Sequence, residues 1–441
     1  MFADPKAPGQ LTVQFALPVE HIAGGRPELI LPAVRCGRGQ ANLLESDRFE
    51  NSLGLVLAKS VKRWVLRKLG LAKPHKRLPI PLEWDWMFPS PFGSSPAPAI
   101  ARSATWFVPQ AGRGSGGHQT IFRFVQMLEE RGITCHIVIC GDRRSVPETQ
   151  LKEEIHAWFR PLKASVTRLE TALSGALPPS DLAVATSWQT AHVVNAFEGA
   201  RQKLYFVQDF EPDFYPKGSE SSLAEATYGF GFAAATAGNW LSDTLSAAHG
   251  TRVCPFDFAV DEHAFHAPAA DRTNGVFFYA RPPTERRGFA LGVAALAELK
   301  RRMPDVELHF AGWKMTGYTL PVPVIDHGIV PADALPGLYA KCKASLILSH
   351  TNLSLMPLES MAASCVVVSN DGPNVRWMLN EGNSVLSATT PMALADALER
   401  VLTDDALHAR LVASGLREAR ARDWQREGDK LARFFGEVAG W

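Results

Sequence analysis

What the chain lacks narrows its class first. No apolar run approaches the roughly 18 residues that a membrane-spanning helix needs. The N-terminus shows no basic segment leading into an apolar one, so no secretory signal is expected and the cytoplasm is the expected location. Cysteine is sparse, with 6 in 441 residues, all scattered singly. The closest two, Cys135 and Cys140, flank a strand-like run, and their odd spacing puts them on opposite faces, unable to share a metal. The cysteines read as ordinary thiols, and nothing requires an oxidising compartment. Neither charge sign dominates: Lys+Arg is 46 against Asp+Glu 45, a net charge of +1. A nucleic-acid binder usually carries a clear basic surplus or module. With 46% apolar and 21% charged residues, the composition is that of a globular protein. At roughly 150 residues per domain, the length suggests two or three domains.

The charge is unevenly placed. Residues 1–104 carry a net +6, and the remainder a net −5. Within this basic quarter, the stretch from Ser52 to Leu71 reads as a helix. Leu53, Leu57, Val61, Val65 and Leu69 recur near every fourth position, with Lys59, Lys62, Arg63, Arg67 and Lys68 between them. Such a helix either packs on the main body with solvated Lys and Arg, or lies on an anionic membrane surface as a peripheral contact. TVQFALPVE and ELILPAV read as short strands. The Pro- and Ser-rich segment to Pro98 reads as a linker whose Trp84, Trp86 and Phe88 dock onto something. Residues 1–103 are therefore taken as a basic, partly irregular extension.

From Ala104 the pattern alternates short apolar strands with helices: TWFVPQ, CHIVIC, DLAVATS, KLYFVQ and FAAATAG, each trailed by a helical stretch. This is the signature of a parallel, doubly wound sheet. CPFDFAVDEHAFHAPAADRTNG breaks the rhythm and reads as a linker. The alternation restarts with GVFFYA and runs through VELHFAG, ASLILSH and CVVVSN. The expected fold is α/β: one Rossmann-like domain over 104–265, a second over 266–425, and a final helix over 426–441 crossing back to the first. The default ligand site is the cleft between the two, at the carboxyl ends of the strands.

Four loops could carry chemistry there. GRGSGGHQT, Gly112 to Thr120, joins the first strand and helix; Gly116 and Gly117 let a ligand approach the backbone. The loop departs from the G-x-G-x-x-G dinucleotide spacing, so an NAD site is a weak reading. His118 either contacts a sugar or phosphate or caps the turn. QDFEPDFYP, from Gln208, sets Asp209 and Glu211 among aromatics, a composition suited to sugars. A divalent-cation site at Asp209 and Glu211 would lack a second ligand cluster, and the acids could instead cap the next helix. ARPPTERRG places Arg281 at a strand end and Arg286 and Arg287 before a helix, where guanidiniums can clamp a diphosphate. In SHTNLSLMPLES, a polar loop leads to a helix bearing Glu359, which is either a solvated helix residue or a grip on two ribose hydroxyls.

Taken together, VDEHAF (Val260–Phe265), ARPPTERRG, LMPLESMAASCVVVSNDG and PMALADALERVLTDDALHARL resemble the family 4 glycosyltransferases. These are retaining enzymes of the two-domain GT-B fold. YFVQDFEPDFYP with HTNLSLMPLE resembles the rhamnosyltransferase branch of bacterial S-layer and polysaccharide assembly. The resemblance covers about residues 104–425. It implies a metal-independent hexosyltransferase with no cofactor, moving rhamnose from dTDP-rhamnose onto a saccharide or lipid-linked glycan. It implies that Arg281, Arg287, Thr351, Asn352, Ser354, Leu355 and Glu359 bind the donor. Asp209 and His118 would be catalytic, and Gly116, Gly117, Gln208 and Glu211 would line the sugar and acceptor cleft. The family's first glutamate position holds Thr351 here, its histidine Gln208, its lysine Arg287 and its glycine Ser364, the last read as a packing variation. Two other readings fit the same fold: a nucleotide-sugar-binding scaffold without turnover, and a sugar-nucleotide epimerase.

Overall fold

The computed structural model describes residues 84–93, 100–142, 144, 146–175, 177–266 and 272–441. The helix expected at Ser52–Leu71 and the two strands expected before it lie outside the described residues. Pro81–Trp441 forms one compact unit.

Two parallel sheets make up its frame. The first holds β1 (Ser103–Pro109), β2 (Thr134–Cys140), β3 (Ser165–Arg168), β4 (Ser180–Ala185), β5 (Ala200–Val207), β6 (Ala233–Ala237) and β7 (Val253–Phe256), in the order β3-β2-β1-β4-β5-β6-β7. The second holds β8 (Thr273–Tyr279), β9 (Glu307–Ala311), β10 (Ile325–Asp326), β11 (Cys342–Leu346), β12 (Val366–Asn370) and β13 (Ser384–Ser387), in the order β10-β9-β8-β11-β12-β13. Strand order reverses beside β1 in the first sheet and beside β8 in the second, the places where doubly wound sheets open crevices for ligands. The strands are apolar throughout because helices cover both faces; β4, for example, is buried at every position. β7 corrects the sequence reading, which assigned its residues to the linker. Val253 to Phe256 pair in register with Ala234 to Ala237 and close the first sheet.

Residues 84–93 dock on the first half. Met87 is buried beside Trp188 and Ala224, Phe92 forms an isolated bridge with Phe197, and the Trp86 indole lies against Gly141, where any Cβ would collide with it. The helix Trp424–Ala439 crosses back onto the first sheet. Its Phe435 stacks on Trp106 with ring centroids 5.8 Å apart, and Asp429 pairs with Arg131 at 2.7 Å. One continuous apolar core therefore runs from the first sheet through this helix to the inner helices of the second half, and a second core lies under that half's outer face.

Ser364 is more than a packing variation. It follows the helix Met356–Ala362 with φ +61°, the left-handed region that costs a residue bearing a Cβ about 1–2 kcal/mol. Its N–H bonds the Met361 carbonyl at 3.0 Å, and its own carbonyl accepts from Arg272. Replacement by glycine removes the strain but adds about 0.5–1 kcal/mol of unfolded-state entropy. Ser364→Gly should therefore stabilise the protein by about 0.5–1 kcal/mol, read as a higher midpoint in urea at unchanged m-value.

Candidate functional site

The loops after β5 and β11 meet at Asp209. Its carboxylate is buried. Oδ1 accepts from the backbone N–H of Asn352 at 2.6 Å and from that of Phe210 at 2.9 Å. Oδ2 accepts from the Thr351 hydroxyl at 3.0 Å and lies 3.4 Å from Arg286 Nε and 3.7 Å from Arg287 Nη2. Five donors from three loops, those after β5, β8 and β11, thus converge on one carboxylate, and four of them belong to the second half.

Asn352 is fully buried, and each polar atom of its side chain is used within the protein. Nδ2 donates to the Gln208 carbonyl at 2.9 Å and to the Ala237 carbonyl at 2.8 Å, both at strand ends of the first half. Oδ1 accepts from Trp377 Nε1 at 2.8 Å. Its backbone carbonyl accepts from Ser349 Oγ at 2.7 Å and from Arg287 Nη1 at 3.0 Å. Behind it, Asn370 and Asn374 side chains bond the Ser349 carbonyl, each at 2.9 Å, and Asn374 also donates to the Thr351 carbonyl. The sequence reading gave Asn352 to the donor. The structure instead spends its side chain on joining the two halves.

The three arginines come together as expected. Arg281 Nη1 donates to the Tyr279 hydroxyl at 3.2 Å, and Arg287 Nη1 donates to Ser349 Oγ at 2.8 Å. Burial lowers the Arg287 pKa, while the Asp209 charge opposes that shift. Arg286 lies with its guanidinium carbon 3.8 Å from the centre of the Phe214 ring, which belongs to the loop after β5. Nε of both Arg281 and Arg286 is buried and without a hydrogen-bond acceptor among the described residues.

The remaining site residues divide. Gln208 donates through Nε2 to the Gly117 carbonyl at 3.1 Å and so braces the glycine loop. Gly117 opens the helix beside Gly116, and a Cβ on Gly117 would touch that amide at 3.6 Å. His118 is tied at both ring nitrogens. Nε2 donates to the Pro109 carbonyl at 3.1 Å, so Nδ1 accepts from Ser115 Oγ at 2.8 Å; burial lowers its pKa and keeps it neutral, the Pro109 bond opposing. Glu211, expected in the cleft, is buried instead. It caps the preceding helix by accepting from the Trp188 N–H, and it accepts from the Tyr205 hydroxyl at 3.1 Å. Burial pushes its pKa up to about 8 against these two bonds, with the Asp209 charge adding to the rise. Glu359 stands apart from the arginines. Burial and the Asp261 charge push it up to about 7, opposed by Arg123, and its half-buried carboxyl makes no hydrogen bond among the described residues. Ser354 and Leu355 sit half-buried just ahead of the helix Met356–Ala362.

This geometry has parallels. Residues 111–236 match the family model described as WsaF, N-terminal domain, and residues 274–399 match that described as WsaF, C-terminal domain. The chain carries both WsaF domains on a GT-B fold. Of its relatives, the O-antigen biosynthesis protein RfbC of Myxococcus xanthus is 36% identical over 352 residues, which is 78% of this chain and 28% of RfbC. The phosphatidyl-myo-inositol mannosyltransferase of Mycobacterium tuberculosis is 26% identical over 216 residues, 45% of this chain and 55% of the enzyme. The chain thus spans less than two thirds of either relative. Among solved structures, Anabaena HepE in complex with UDP and glucose superposes with a TM-score of 0.59 at 15% identity, over 76% of this chain and all of HepE. The sucrose-phosphate synthase of Thermosynechococcus elongatus gives 0.58 at 13%, over 77% of this chain and 99% of that one.

Sequence reasoning missed how the two WsaF domains are joined. Trp377, from the C-terminal domain, fits over Gly238 of the N-terminal one so closely that a Cβ there would lie 2.4 Å from the indole. Gly238 follows β6 with φ +80°, and no sequence pattern pairs it with a tryptophan 139 positions on. The seam should be costly to break. Asn352→Ala leaves the Trp377 N–H and the Gln208 and Ala237 carbonyls unpaired, and should cost about 3 kcal/mol or more in chemical denaturation. Glu211 gives a pH test. A carboxyl whose folded pKa exceeds its ordinary 4.5 stabilises fully below that value, and its contribution is lost as pH rises through about 8. The melting temperature should therefore fall less between pH 5 and pH 8 in Glu211→Gln than in wild type.

Proposed function

We propose that the protein is a glycosyltransferase of bacterial surface-polysaccharide assembly that takes a nucleoside-diphosphate sugar as donor. The observation that carries this is the arginine cluster. Arg281, Arg286 and Arg287 follow β8 close together, with the Arg281 Nε buried and lacking an acceptor among the described residues and Arg286 Nε held only by a long contact to Asp209, and buried donors of this kind call for an anion. The diphosphate is assigned to Arg281 and Arg287, aided by the N–H groups of Ser354 and Leu355. Glu359, whose carboxyl makes no hydrogen bond among the described residues, is assigned to the ribose hydroxyls. HepE, similar in fold, was solved with UDP and glucose, and RfbC is an O-antigen biosynthesis protein; both support the reading.

In this reading positive charge stabilises the departing diphosphate without a metal. Configuration is retained, and the leaving phosphate takes the proton from the acceptor hydroxyl. With the donor bound, Asp209 lies on the sugar side of the seat, and His118 shapes the glycine loop. The sugar proposed is rhamnose from dTDP-rhamnose, as the resemblance implies, and the acceptor is a growing or lipid-linked saccharide.

A thermal-shift panel of dTDP, UDP, GDP and ADP, with NAD as control, tests the donor on wild type and Arg281→Ala. A ligand present at 100 times its Kd stabilises the native state by about 2.7 kcal/mol. The expected result is a shift with dTDP that is lost in Arg281→Ala. A shift with UDP or GDP alone would replace the dTDP assignment, and no shift with any nucleoside diphosphate would remove the donor site.

A further inference from the structure

The anion seat on the C-terminal domain is filled, but loosely. A well-fitted guanidinium–carboxylate contact closes to roughly 2.7–2.9 Å, whereas Asp209 Oδ2 stands 3.4 Å from Arg286 and 3.7 Å from Arg287. The other contacts are ordinary: the Thr351 hydroxyl at 3.0 Å and the Asn352 N–H at 2.6 Å. Two guanidiniums, a hydroxyl and a backbone N–H form the kind of donor set that a phosphate group takes. The seat is also larger than its occupant: Arg286 Nε reaches Asp209 only as a long ion pair without hydrogen-bond geometry, and the buried Arg281 Nε has no acceptor among the described residues. Charge points the same way. The guanidiniums of Arg286 and Arg287 face the one carboxylate of Asp209, and the neighbouring Glu211 is held protonated near neutral pH by burial. One carboxylate leaves positive charge uncompensated, and a diphosphate would neutralise more of it.

We propose that Asp209 is a placeholder whose carboxylate occupies the seat of a donor phosphate in the unliganded protein, and that a nucleoside diphosphate enters by displacing it. The inference rests on the diphosphate reading of the arginine cluster and deepens it. It makes Asp209 the residue that sets donor affinity, since every ligand must compete with a tethered carboxylate that is always present. It also links binding to the seam between the domains. Asp209 follows β5 of the N-terminal domain, so its displacement removes the bonds to Thr351 and Asn352 that cross the cleft, while the Asn352 amide keeps its own two.

The test is isothermal titration of the full chain, wild type and Asp209→Asn, with dTDP, UDP and pyrophosphate at one pH and salt concentration. The asparagine keeps an oxygen for the Asn352 N–H and loses the charge. The expected result is a Kd about tenfold lower in the variant, for pyrophosphate as well as for the nucleotide that binds wild type. Equal or weaker binding by the folded variant overturns the placeholder and leaves the diphosphate reading standing. Absence of binding to both proteins by all three probes overturns both. Hydrogen exchange on wild type needs no variant. The Phe210 amide, now bonded to Asp209 Oδ1 at 2.9 Å, should exchange faster when pyrophosphate or nucleotide binds. Slower or unchanged exchange in a complex that forms also overturns the placeholder.

Discussion

The bonds of Asn352 are the constraint on which the site depends. Each domain is a complete parallel sheet with helices on its faces, and neither sheet needs the other to satisfy its backbone. What places the arginines of one against the acidic loop of the other is a polar seam with one amide at its centre. This amide bridges two strand ends, carries an indole on its oxygen and holds Arg287 through its backbone carbonyl. In a water-excluded setting such bonds are strong when complete and costly when broken. The cleft residues are therefore positioned by a network in which no polar side-chain atom of Asn352 is spare.

That network also explains why several expected cleft residues are not open to a ligand. Gln208, Glu211, His118 and Asn352 all sit in the right loops, and each is spent on holding its loop in place. The residues left with unused capacity are Arg281, Arg286 and Glu359. A polar residue in a binding loop can serve the ligand or the loop, and the sequence pattern is the same in both cases. Only hydrogen-bond accounting separates them.

The fold was legible because periodicity reports burial directly. Most of the apolar strands, the restart at β8 and the C-terminal helices follow from patterns within short windows, whereas the short β3 and β13, four residues each, left no such pattern. β7 escaped because Cys-Pro-Phe reads as punctuation, although Pro255 sits in a strand that pairs on one side only. The arginine cluster was legible because its members lie within seven residues of one another. The seam was not, because its partners stand far apart in the chain: Asp209 meets Asn352 across 143 positions. Ser364 was visible as a departure from the family glycine, but its left-handed backbone angle could be read only from the structure.

The crossing helix bears on motion. The C-terminal domain is entered through the segment after β7 and left through the segment before Trp424, and the two segments run side by side. Asp257 donates its N–H to Glu427 at 3.1 Å, and its carboxylate lies 3.5 Å from Arg422. A body hung from two adjacent, mutually bonded straps can swing about them like a door, but it cannot slide along its neighbour without tearing them apart. Any opening of the cleft would turn about these straps and bring the arginines back to the same register on closing.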